Sequence, residues 1–118
     1  MTLLEVHQAW AWAAVIGNGV AGAWALAAHW VPALRRRALW WFTGAAQLAM
    51  AVQVVLGVAL ITVEDLEAPD FHLFYGFLTL IAVGLIYSYK AQVAQLHLLY
   101  GLGGLFIMGL GIRAMLLG

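Results

Sequence analysis

The chain has no cysteine. That excludes disulfides, thiolate zinc sites, iron–sulfur clusters and covalent c-type haem attachment. Charge is scarce as well: five basic and five acidic residues in 118, or 8%, against about 25% in a soluble domain. The net charge is zero and no basic patch exists for nucleic acid. Met1-Thr2-Leu3-Leu4-Glu5 lacks the positive start of a signal peptide, and no small-residue cleavage site follows. The expectation is that the first segment is retained.

What fills the chain instead is apolar, at 66% of residues. Four segments, residues 8–30, 40–63, 71–89 and 96–117, approach or exceed the roughly 20 residues needed to span a hydrocarbon core. Backbone groups in lipid must be satisfied internally, so each segment reads as a helix. The links at 31–39, 64–70 and 90–95 are short, which makes sequential helices antiparallel neighbours. The expected fold is therefore all-α: one polytopic membrane domain over residues 1–118, a four-helix up-down-up-down bundle in contact with the lipid bilayer.

Charge orients it. Arg35, Arg36 and Arg37 occupy the first link and Lys90 begins the third, whereas all five acids (Glu5, Glu64, Asp65, Glu67, Asp70) fall on the opposite side. The positive-inside rule makes the Arg/Lys links cytoplasmic and both termini extracytoplasmic, in a multi-pass protein of the cell membrane. Trp10, Trp12, Trp30, Trp40 and Trp41 cluster near the expected helix ends, as an aromatic belt does. Arg113 is the exception, set in an apolar run on the outer side. It either snorkels or pairs with Glu5 or Glu64, or it is a counter-ion for a bound anionic group.

Ionisable and amide side chains near hydrocarbon are costly and tend to face the bundle interior. His7 and His72 open the first and third segments, which places both on the outer side at similar depth. Two facing imidazoles can hold a metal ion or a haem iron. With the acidic loop they also suit zinc or copper. Asn18 lies eleven residues beyond His7, within about 20° of the same helix face. His29 lies eleven further, on the same stripe as Gly22. A second stripe runs His97, Gly101, Gly104, Met108, Gly111, Met115. Its glycines admit close approach of another helix or of a flat ligand. His29 and His97 are an inner pair, and His97 alone is the candidate for a second contact with a cofactor. Gln47 and Gln53 sit on the second segment, where buried amides bond across helices or to the second nitrogen of a ligating histidine.

The run Gln53-Val54-Val55-Leu56-Gly57-Val58-Ala59-Leu60-Ile61-Thr62-Val63, a short loop, then His72-Leu73-Phe74-Tyr75-Gly76 resembles part of the haem A synthase family. Glu5-Val6-His7-Gln8 is similar to the start of that family's preceding helix. The resemblance covers about residues 5–90 and implies that His7 and His72 are the axial ligands of a haem b near the outer face. In a haem protein of this kind, Asn18, Gln53 or the Tyr75 hydroxyl would tune the ligands and Arg113 would hold a propionate. The family has eight helices in two such halves and a cysteine-bearing loop, whereas this chain has four expected helices and no cysteine. Haem binding is thus expected without the family's hydroxylation and without catalytic activity of its own.

Three functional classes follow. The first is a b-type haem protein for electron transfer or haem handling in a respiratory-type complex. The second is a cofactor-free accessory or assembly subunit, with other membrane subunits or self-association as its partners. The third is a small oligomeric transporter, for which the midplane offers only Asn18 and Gln53. The orientation is testable because the chain is cysteine-free. Ala68→Cys should react with an impermeant maleimide in intact cells, and Ala33→Cys and Ala91→Cys only after lysis. The opposite pattern would invert the bundle.

Overall fold

The computed structural model describes residues 1–118, and all of its regular structure is helical. Helix α1 spans Leu3–Trp30, α2 Arg37–Thr62, α3 Asp70–Tyr89 and α4 Leu96–Leu116, with one 3-10 turn at Pro32–Leu34. Each of the four is long and apolar enough to cross a membrane. Together they form a four-helix bundle of 48 × 27 × 21 Å.

The first helix begins five residues earlier than the apolar run predicts. Thr2 is extended and its hydroxyl accepts a hydrogen bond from the Glu5 amide at 3.1 Å. That cap satisfies one of the free amides at a helix start, and the Glu5 charge suits the same end. His7 therefore lies more than a turn inside α1 rather than at its opening. The second helix likewise starts at Arg37, three residues before the expected Trp40. Asp65 terminates the turn after α2 in the left-handed region (φ 57°), which aspartate tolerates better than most residues.

The face that α1 turns into the bundle is built mainly from small side chains, with larger ones such as Leu39, Ile86, Ile107 and Leu110 supplied by the other helices. On α1 the buried residues include Ala11, Ala14, Ala21, Gly22, Ala25 and Ala28. Large apolar groups such as Trp41, Leu48, Val55, Phe71, Phe74 and Leu85 point outward. This small-inside, large-outside arrangement is the one expected where lipid is as apolar as leucine and close van der Waals contact holds helices together.

Helices α1 and α4 make the most extensive contact, followed by α1 with α2 and α3 with α4, while α2 and α3 meet sparsely. At the α1–α4 crossing the backbones touch. A Cβ on Gly22 would lie 2.7 Å from the Leu105 amide nitrogen, and one on Gly104 would lie 2.7 Å from the Gly22 Cα. Gly101 meets the Leu26 backbone in the same way. No side chain larger than hydrogen fits there. Ile86 of α3 packs against Gly103 on another side of α4.

Polar ties join α1 to α2. The Asn18 amide donates to the carbonyls of Ala14 (2.8 Å) and Ala46 (3.0 Å), and the Trp10 indole donates to Ala49 O (2.8 Å). At the other end of α1, Arg35 donates to the carbonyls of Ala28 and His29, both at 2.7 Å. These are among the last carbonyls of α1, which otherwise lack intrahelical partners. Trp24 donates to Leu34 O (2.9 Å) and fastens the same link.

The glycine crossing yields a direct test. Gly104→Val should lower stability by about 1–3 kcal/mol through overpacking. Gly84→Ala, where nothing lies within 4 Å of the new methyl, should be neutral or raise stability by up to about 1 kcal/mol. Unfolding midpoints in detergent micelles titrated with SDS would show the contrast, and equal midpoints would refute the crossing.

Candidate functional site

His7 on α1 and His72 on α3 come together although 65 residues separate them in the chain. Their ring centroids are 6.2 Å apart and the ring planes are nearly perpendicular, at 81°. Both side chains are half-buried. Each is positioned by a helix other than its own.

His72 is oriented by the end of α4. Its Nδ1 lies 2.6 Å from the Ala114 carbonyl oxygen. A carbonyl only accepts, so Nδ1 carries the hydrogen and the Nε2 lone pair is left free. Ala114 O belongs to the last turn of α4, where its only backbone bond is a 3.3 Å one from the Leu117 amide, and its second lone pair is open to the imidazole. Gly118 also lies against the ring, where an added Cβ would be 2.8 Å from Nδ1.

His7 is oriented by α2. The Gln53 amide donates from Nε2 to the His7 main-chain carbonyl at 2.7 Å. One turn later Gly57 faces the imidazole, and a Cβ there would sit 3.2 Å from His7 Cε1. The ring therefore lies in a space that a glycine leaves open. His7 Nδ1 is buried without a hydrogen-bond partner, and so is Gln53 Oε1.

The two imidazoles border a cavity of about 400 Å³, within the range of small-molecule sites. All four helices and the loop at Leu66–Pro69 contribute to it. Its walls are mostly apolar, with Trp12, Val15, Met50, Val54, Leu73 and Phe77 among them. Glu67 is the one Asp, Glu, Lys or Arg residue of the lining. No group of three or more His, Asp or Glu side chains comes close enough to hold a metal ion. The acidic loop does not join His7 and His72 in such a group for zinc or copper. Two imidazoles alone leave such an ion without the four ligands it commonly needs. The acidic side chains Glu64, Asp65 and Asp70 are solvent-exposed and lie outside the cavity wall.

The remaining expected site residues are dispersed. Gln53 lines the cavity beside His7. Asn18 is fully buried, but its amide ties α1 to α2 away from the cavity. Arg113 is exposed and absent from the wall. His97 packs against Trp40 at 5.1 Å, with its Nε2 buried and unpartnered. His29 lies against Trp30 at 4.7 Å. Tyr75 packs against the core and Phe74 rather than the cavity. The glycine stripe on α4 divides its work: Gly101 and Gly104 meet α1, whereas Gly111 and Met115 face the cavity.

Sequence reasoning missed the Ala114 carbonyl, because a backbone acceptor has no residue signature. Met50 is an ordinary apolar residue until the helices are placed, and Trp12 reads in the sequence as part of an aromatic belt rather than as a cavity wall. No family model matches the chain, and neither a curated protein nor a solved structure matches it.

Imidazole proximity can be read directly by NMR. Ring protons of His7 and His72 should give a nuclear Overhauser contact in micelles. Gly57→Leu, which intrudes on the His7 ring, should weaken that contact while leaving the Trp40–His97 contact intact. A wild-type spectrum without the His7–His72 contact would contradict the arrangement.

Proposed function

We propose that this chain is a small integral membrane protein that binds a b-type haem between His7 and His72. Its role is electron transfer or haem handling within a respiratory-type membrane complex. The observation that carries this reading is the 6.2 Å separation of the two ring centroids at an apolar cavity. Two imidazoles ligating one metal through Nε2 stand about 6 Å apart, given a metal–nitrogen distance of about 2.0–2.1 Å on each side. The perpendicular planes allow the rings to meet end-on rather than stacked.

The donor set favours a macrocycle over a bare ion. Two imidazoles are too few ligands for a bare ion, whereas a haem would bring ring nitrogens of its own and need only the two histidines from the chain. When bound, it would supply one-electron chemistry. The residues of the chain perform the rest. His7 and His72 would hold the metal through their imidazoles, a role of binding and electron transfer rather than catalysis. Val15, Val54, Leu73 and Phe77 exclude water. The cavity wall lacks Lys and Arg, so acidic substituents of the macrocycle belong at the aqueous edge rather than against the wall. Arg113, outside the wall, is left to snorkel.

The reading includes a membrane orientation. The bundle runs up-down-up-down with both termini extracytoplasmic, so the haem lies near the outer face and the Arg35–Arg37 and Lys90 links are cytoplasmic. The outward-facing apolar side chains contact lipid and, within a complex, neighbouring subunits.

The visible spectrum of the protein purified from haem-replete cells is the test. A Soret band with sharp reduced α and β bands is expected. His7→Ala and His72→Ala should each abolish or strongly shift it, while His97→Ala and Asn18→Leu should retain it. A colourless wild type that also fails to take up added haemin would reject the reading.

A further inference from the structure

Two unpartnered polar atoms lie beside the cavity, His7 Nδ1 and Gln53 Oε1. Buried polar atoms without partners are rare, and each calls for an explanation. These two belong to residues already joined, because Gln53 Nε2 donates to the His7 carbonyl at 2.7 Å. That bond settles the amide's orientation. Turning it over would set two oxygens against each other, so Oε1 is the free pole and it can only accept. The imidazole Nδ1 can complement it only by carrying the hydrogen.

We infer that Gln53 is a positioning residue that holds His7 in the Nδ1–H tautomer through Oε1, so that Nε2 is the ligating atom. His72 already shows the same arrangement, with Nδ1 donating to Ala114 O from a different helix. The two ligands are then locked alike, one by a main-chain carbonyl of α4 and one by a side chain of α2. Gly57 is part of the device. A Cβ at that position would lie 3.2 Å from the ring's Cε1, so the missing side chain leaves the His7 ring room to turn its Nδ1 toward Oε1. A hydrogen bond to the second nitrogen raises ligand basicity and fixes ring orientation, and its loss typically weakens metal binding 10–100-fold.

The identity of the ligand at Nε2 rests on the haem reading; the tautomer does not. The test therefore starts from the protein in micelles without added haemin, labelled with 15N-histidine, as wild type, Gln53→Leu and Gln53→Glu. Glutamate keeps an acceptor but removes the donor to the His7 carbonyl. Wild type and Gln53→Glu should both show His7 as the Nδ1–H tautomer. Gln53→Leu should give a mixture with Nε2–H. An Nε2–H tautomer in wild type overturns the inference. So does an unchanged Nδ1–H in Gln53→Leu, which would assign the hydrogen to the Gln53 main-chain carbonyl beside the ring. If Gln53→Glu behaves like Gln53→Leu, the helix tie rather than the acceptor is responsible, and the inference also fails. In a second arm, haemin titration should show 10–100-fold weaker binding for Gln53→Leu and a change of only a few-fold for Gln53→Glu. A wild type that binds no haemin rejects the haem reading, while the tautomer still decides the role of Gln53.

Discussion

Backbone contact between α1 and α4 governs the rest of this molecule. Gly22, Gly101 and Gly104 let the two helices approach until main-chain atoms meet. In lipid, burying leucine against leucine gains little, and cohesion comes from close packing and interhelical hydrogen bonds. The glycine crossing provides the packing, and the Asn18 amide, bonded to Ala46 O on α2, provides the bond. With α1 clamped between α4 and α2, and α3 resting on α4, no comparable contact is left for the α2–α3 pair. A bundle held so tightly along one seam is loose along another. The cavity, walled by all four helices, belongs to this uneven packing.

The two ends of the bundle use their polar groups differently. Near the Arg35 link, the guanidinium and the Trp24 indole go to carbonyls at the end of α1 and in the link itself. His97 and His29 there pack against tryptophans rather than each other. At the opposite end the imidazoles of His7 and His72 face one another. Their outer contacts come from Gln53 and Gly57 on one side and Ala114 and Gly118 on the other. An imidazole loses hydration at a site bordering hydrocarbon, and two side by side do so twice. Only one of their two Nδ1 atoms has a partner. That imbalance marks the His7 side as the incomplete half of the site.

Several residues carried their roles openly in the sequence. Four apolar runs separated by short polar links are enough to specify four helices long and apolar enough to span a membrane, since in lipid a backbone must satisfy its own polar groups. The start of α1 escaped, because a cap depends on one hydroxyl at Thr2 and not on hydropathy. Gly101 and Gly104 announced a close approach by their helical spacing, though not that α1 would be the partner. Asn18 was legible as inward-facing, but whether its amide met a ligand or a carbonyl depended on where Ala46 came to lie. Arg113 read either as a snorkelling or carboxylate-paired residue or as a counter-ion, and it is exposed; helical phase alone does not say which neighbour covers a face.

Composition and periodicity alone determined an all-helical bundle, polar stripes turned inward, and His7 and His72 as the residues worth watching. These are properties of single helices and need only the solvent and the 3.6-residue turn. The tertiary structure alone decided that the two rings stand 6.2 Å apart, that Ala114 O orients one of them, and that Gly57 leaves room for the other. Such distances depend on the crossing and relative placement of helices, which arise from glycine contacts between segments some 80 residues apart in the chain. No local pattern records the sum of those contacts.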